Sequence, residues 1–185
     1  IDKDAVDFID NYDGSMQEPV LLPTSFPNVL VTPNKGIAVG MASEICSFNL
    51  KEICETTIAL MRDKDHDIIS TLKAPDFPGG GYVVYDREQM KKVYETGRGS
   101  IKLRAKYVYD PKENCIEILE IPYSTSIEAI MKDISDMYKE GKLKDVVDFR
   151  DEIDRDGFKL TLDLRKGVDP DKLMQRLFKI TPLES

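Results

Sequence analysis

The chain has 185 residues, 41% of them hydrophobic and 32% charged, a composition that fits a globular protein and excludes a disordered or fibrous one. Its 26 Lys and Arg are outnumbered by 34 Asp and Glu, a formal net charge of −8, which argues against a uniformly basic nucleic-acid coat but leaves room for a local basic face. No apolar run approaches the roughly 18–20 residues of a membrane span. The opening Ile1-Asp2-Lys3-Asp4 has neither a start methionine nor the form of a signal peptide, and the three cysteines contain no Cys-x-x-Cys pair. The expectation is a cytoplasmic protein with reduced thiols, excised from a longer chain.

The first forty residues carry few helix signals. Pro19, Pro23, Pro27 and Pro33 recur among short apolar runs, and Asn11-Tyr12-Asp13-Gly14 reads as a turn, so this stretch is expected to be extended and irregular. Asn49, with Glu52 three residues on, predicts a capped helix over about 50–62 whose apolar stripe is Leu50, Ile53, Cys54, Thr57, Ile58 and Met61. A second short helix around Ile68, Ile69 and Leu72 is stopped by Pro75, and Pro78-Gly79-Gly80-Gly81 reads as a boundary.

Strands and helices alternate beyond the glycines. Tyr82 to Tyr85 is β-rich, and Asp86 caps a helix that Gly97 ends. Ile101, Leu103, Ala105, Tyr107 and Tyr109 alternate with Lys102, Arg104 and Lys106, which predicts one continuous strand with a basic face. Asp110 to Asn114 turns it into a hairpin with Ile116, Ile118 and Ile121. A helix capped by Ser126 and closed at Gly141 follows, then a short Val146-Val147 segment, a strand over Phe158 to Leu164, and a helix through Leu173, Leu177 and Phe178. The fold class is α+β, an antiparallel sheet with helices on one face, preceded by the irregular segment. Three regions are expected: 1–48, a helical connector at 49–80, and 81–185.

Most isolated candidates for chemistry have a plain structural reading. His66 has no second histidine to share a metal, and Cys46 and Cys54 have no base beyond it. Gly79-Gly80-Gly81 lacks the Lys-Ser/Thr of a phosphate loop, and Gly97-Arg98-Gly99 lacks the third glycine of a dinucleotide fingerprint. Asp2, Asp4, Asp7, Asp10 and Asp13 are read as a solvated acidic face in preference to a Mg²⁺ site, so neither a catalytic residue nor a metal ligand is assigned. Two features carry more. Ile37 stands between Gly36 and Gly40, and is either a buried isoleucine in a Gly-rich turn or an apolar wedge for a DNA base step. Residues 87–106 hold seven basic side chains against two acidic ones, and are either a solvated sheet face or a phosphate-facing one.

Several runs resemble one family in that family's order. They are Val6-Asp7-Phe8-Ile9-Asp10-Asn11-Tyr12-Asp13-Gly14, Leu22-Pro23, Phe26-Pro27-Asn28-Val29-Leu30-Val31, Gly36-Ile37-Ala38-Val39-Gly40-Met41-Ala42 and Pro75-Asp76-Phe77-Pro78. Thr96-Gly97-Arg98-Gly99, Glu120-Ile121-Pro122-Tyr123, Arg150-Asp151-Glu152, Asp154-Arg155-Asp156-Gly157 and Thr181-Pro182-Leu183 continue the series. Together they resemble the A subunit of bacterial type IIA DNA topoisomerases, a family that comprises the A subunits of DNA gyrase and of topoisomerase IV.

The resemblance implies an isomerase that changes DNA topology by ATP-dependent double-strand passage. Its nucleophilic tyrosine lies in an Arg-Tyr motif upstream of the Val6 run, so no tyrosine here is assigned that role and the fragment is expected to be non-catalytic. Residues 1–48 would be the tail of the winged-helix region with its intercalating loop, and residues 81–185 the tower domain. Ile37 matches the family isoleucine that inserts between base pairs. Gly36 and Lys35 would flank it, and Arg98, Lys102 and Arg104 would face DNA. ATP and Mg²⁺ would belong to a partner B subunit, with no cofactor held in this segment. The implied partners are duplex DNA, a second A subunit, plus the B subunit; no membrane is expected, and the isolated fragment would be monomeric.

Two departures from the family pattern stand out. Ile45-Cys46-Ser47-Phe48-Asn49-Leu50 lacks the family's two prolines and histidine, and Ser124-Thr125-Ser126-Ile127 replaces a stretch that usually ends in a basic residue. The rival reading is a protein-interaction scaffold whose basic strand meets an acidic partner.

Overall fold

The computed structural model describes residues 1–152 and 157–185, so the Asp154-Arg155-Asp156 part of the motif above lies outside the described residues. The chain divides into two units, Ile1–His66 and Asp67–Ser185.

The first unit replaces the expected irregular segment with two hairpins. β1 (Phe8–Asp10) pairs antiparallel with β2 (Gln17–Pro19) across the Asn11 turn, where Asn11 Oδ1 accepts the Met16 N–H at 3.2 Å. After a 3₁₀ turn at Asn28–Leu30 come β3 (Asn34–Ala38) and β4 (Met41–Ile45), an antiparallel pair. Helix α1 (Leu50–Arg62) begins where sequence places it, because the Asn49 side chain accepts the N–H groups of Lys51 and Glu52. Its stripe, however, is divided. Ile53 and Thr56 are buried, whereas Leu50, Ile58 and Met61 are exposed. The helix buries a narrower face than its apolar pattern implies.

The second unit is an α+β layer. It opens with α2 (Ile68–Thr71), β5 (Tyr82–Val83) and α3 (Arg87–Thr96). The continuous strand expected over 101–109 is two strands, β6 (Leu103–Arg104) paired with β5, and β7 (Lys106–Asp110) paired with β8 (Cys115–Glu120). The cause lies at the chain's far end. Ala105 N–H donates to Leu183 O at 2.8 Å, and the register with β8 shifts between Lys106 and Tyr107, so the chain changes partners at Ala105.

Helix α4 (Ile127–Lys139) is followed by β9 (Val146–Asp151), β10 (Leu160–Leu164) and α5 (Pro170–Ile180). The four-stranded sheet runs β7-β8-β10-β9, antiparallel throughout. Period-2 alternation turns Ile116, Ile118, Leu160 and Leu162 to one face, where they pack with Ile130 and Ile134 of α4 and Leu173, Met174 and Leu177 of α5. β9 extends past the apolar Val146-Val147 pair because it is an edge strand, and Asp148, Arg150 and Asp151 suit an edge that must not recruit a neighbour.

Two ion-pair groups fasten this unit from outside the core. Lys159 lies 2.9 Å from Glu152 and 3.1 Å from Glu117. Glu120 joins the triple glycine to β7: one carboxylate oxygen accepts the Gly81 N–H at 2.6 Å and the other sits 2.9 Å from Lys106 Nζ. Gly79, Gly80 and Gly81 all have φ between +80° and +92°, a run of left-handed residues that wraps the carboxylate. In the fold, Gly80 and Gly81 of this run form a cradle for Glu120.

Candidate nucleic-acid interface

The β3–β4 hairpin closes through the two-residue tip Val39-Gly40, with Gly40 at φ +78°. Ile37 therefore lies on β3, one rung below the Ala38–Met41 pair that closes the tip, and not at the tip itself. It pairs with Ala42, while Lys35 pairs with Glu44 on the same face, their charged groups 3.6 Å apart. Gly36 faces the other side opposite Ser43, whose hydroxyl would lie 3.1 Å from a Cβ at that position.

Ile37 is 81% exposed, which excludes the buried-isoleucine reading. Its cross-strand neighbour, Ala42, offers only a methyl group to pack against. Val39 and Met41 are exposed as well. Ile37 lies on one face of the hairpin and Met41, paired with Ala38, on the other, and each such exposed side chain gains about 2 kcal/mol on being covered.

The basic candidates lie in the other unit, and structure separates them. Lys102 and Arg104 converge on Glu184: Lys102 Nζ is 3.3 Å from one carboxylate oxygen, and Arg104 Nε bonds the other. Arg104 also lies over the Phe178 ring, 5.2 Å from its centroid. The Glu184 side chain is only 15% exposed, and the guanidinium bond, reinforced by Lys102, holds its carboxyl below the ordinary glutamate range. Glu120 is lowered likewise, first by the Gly81 N–H and then by Lys106. Lys106 is raised in return by its bond to Glu120. All three cations of the period-2 pattern thus have carboxylate partners inside the chain.

Arg98 is different. It follows Gly97, the left-handed cap of α3, is exposed, and has no ion pair among the described residues. Sequence reasoning missed Glu184 and Glu120 as partners, because each acts on residues distant in the chain and neither role is written in a motif.

Other chemistry finds little footing. Among the described residues no group of three or more His, Cys, Asp or Glu is placed to hold a metal. The Tyr107 hydroxyl donates to Asp171 at 2.8 Å, and burial together with that carboxylate pushes its pKa up to about 12, the opposite of an activated nucleophile. An open depression of about 340 Å³ beside the start of α5 contains Lys172 and Arg176, but these are paired with Asp169 and Asp145. No helix among the described residues is long and apolar enough to cross a membrane.

The α+β class agrees with what the topoisomerase motifs implied, and comparison bears out the family. The chain belongs to the DNA gyrase/topoisomerase IV A-subunit family, whose model matches residues 1–185. It is 43% identical to the DNA gyrase A subunit of Borrelia hermsii over 99% of its length and 38% identical to that of Borreliella burgdorferi over 98%. It is 40% identical to the DNA gyrase A subunit of Campylobacter fetus over its whole length. The chain spans only 22–23% of the length of these relatives.

Proposed function

We propose that this chain is the DNA-bending and duplex-binding part of the breakage-reunion subunit of an ATP-dependent type II DNA topoisomerase, and that it does not itself cleave DNA. The exposure of Ile37 on a paired hairpin carries the reading. Inserting it between base steps would bury apolar surface and offset the unstacking cost, while the resulting bend would bring flanking phosphates to basic residues. Lys35 and Gly36 would lie against the backbone next to the wedge. Residues 81–185 would act as the tower beside the cleavage site.

In the intact enzyme a B subunit carrying the ATP and Mg²⁺ sites would join two copies of the A subunit to complete the machine, which would work in the cytoplasm. The scaffold alternative is weakened by the carboxylates already bound to Lys102, Arg104 and Lys106, which leave no bare basic strand for an acidic protein.

The test compares the complete A subunit, wild type and Ile37→Ala, for duplex binding and for bending by end-to-end energy transfer at two salt concentrations. Loss of the bend with retention of salt-sensitive binding supports the wedge; an unchanged bend refutes it.

A further inference from the structure

We infer that the cations facing DNA phosphate in the second unit are Lys91, Lys92 and Arg98, on α3 and its cap, and not Lys102 and Arg104; this rests on the duplex-binding reading above. The argument begins with availability. A cation already held by a carboxylate must break that pair before it releases counterions on DNA, so it adds less to affinity than an unpaired one. Lys102 and Arg104 are held by Glu184, and Arg104 is also stacked on Phe178. Arg87, at the start of α3, is held by Asp67 at 3.1 Å. Lys91, Lys92 and Arg98 are exposed and form no ion pair among the described residues. Glu88 and Glu95 share the helix at i±3 and i±4 spacings from both lysines, yet neither forms an ion pair with them.

The second observation is that Arg98 is fixed against the helix. The Thr96 hydroxyl lies 2.7 Å from Lys92 O and 3.0 Å from Arg98 O, and accepts the Arg98 N–H at 3.3 Å. Beyond it the loop runs back along α3. A Cβ on Gly99 would fall 2.3 Å from Val93 Cγ2, and Gln89 Nε2 donates to Ser100 O at 2.8 Å. The residual gap in this packing is about 10 Å³, at most the room for a single water. The Thr-Gly-Arg-Gly motif thus clamps the backbone of Arg98 beside the turn that bears Lys92, while leaving its guanidinium in solvent. Three exposed cations that no carboxylate holds in an ion pair among the described residues, one of them with its backbone fixed, are suited to phosphates, and the helix C-terminus further favours positive charge at Arg98.

The test uses a duplex of fixed sequence with the intact A and B subunits together, and Kd is measured from about 50 to 200 mM salt. Replacing Lys91, Lys92 and Arg98 together by Gln should flatten the slope of log K against log salt by about 5.4 in the complex with two A subunits, roughly 0.9 for each of six phosphate contacts. Lys102→Gln should leave the slope in place. The charge-retaining set K91R, K92R and R98K should keep the wild-type slope. The inference is overturned if the triple Gln variant keeps the slope, if Lys102→Gln carries the loss, or if the charge-retaining set loses the slope as well, which would mark a structural role. If wild-type binding does not depend on salt, the duplex-binding reading fails, and the inference fails with it.

Discussion

Gly80→Ala tests the cradle around Glu120. A Cβ at Gly80 would fall 2.1 Å from Glu120 Oε2, so the carboxylate must swing aside. The swing itself is easy for a flexible side chain. Its cost lies in what the carboxylate leaves behind, the Gly81 N–H at 2.6 Å and Lys106 at 2.9 Å, hydrogen bonds to a charged group worth about 1–3 kcal/mol together after solvent screening. Alanine at φ +80° adds about 1–2 kcal/mol of backbone strain. The expected loss is therefore about 2–5 kcal/mol in urea unfolding of the full chain. In a Glu120→Ala background the clash and the lost bonds no longer exist, so the same Gly80→Ala change should cost only about 1–2 kcal/mol. Equal costs in the two backgrounds would refute the cradle and leave backbone strain as the whole effect.

Acid and alkali probe the remaining contacts. Glu120, Glu152 and Glu184 all have carboxyls held below their ordinary 4.5, by Gly81 N–H, Lys159 and Arg104 respectively. A depressed carboxylate stabilises the fold above its unfolded value and loses that contribution as pH falls through the folded one. Urea midpoints should therefore drop as pH is lowered from about 5 toward 3, and Glu184→Gln should flatten the drop; an unaltered profile in that variant would remove Glu184 from the account. At the other end, Tyr107 is raised from 10.0 to about 12. Its contribution is complete below pH 10 and is lost as pH rises through 12. Absorbance titration of the phenols should show a late step that Tyr107→Phe abolishes, and a late step that survives the substitution would contradict the Asp171 contact.

Local signals were the most legible. Asn49, Asp86 and Ser126 were readable as helix caps because a capping side chain acts within three residues of itself, and each accepts those N–H groups in the structure. The Asp110–Asn114 turn and the α+β layer follow from period-2 and period-3.6 patterns, with Asn114 supplying the only non-glycine positive φ among the described residues. The strand break at Ala105 was not legible, since it depends on Leu183. The basic face misled for the same reason. Alternation correctly places Lys102, Arg104 and Lys106 on one side, but Glu184 and Glu120 can be assigned to them only after folding. Ile37 was recognisable by its glycine neighbours, whereas its place on β3 opposite Ala42 was not, because the register is set by the partner strand.

The short strand β6 has a neighbour on each edge. On one side Tyr82 and Val83 pair with Arg104 and Leu103; on the other Leu103 exchanges both backbone hydrogen bonds with Ser185, at 2.8 and 3.0 Å. The polypeptide thus arrives at and departs from the sheet-bearing body along adjacent tracks, like the lanes of a single stalk. Tension applied at Tyr82 and Ser185 would load that three-lane patch and the Arg104–Glu184 clasp in shear, and Ala105 and Leu183 tie the patch directly to the layer of isoleucines and leucines behind it.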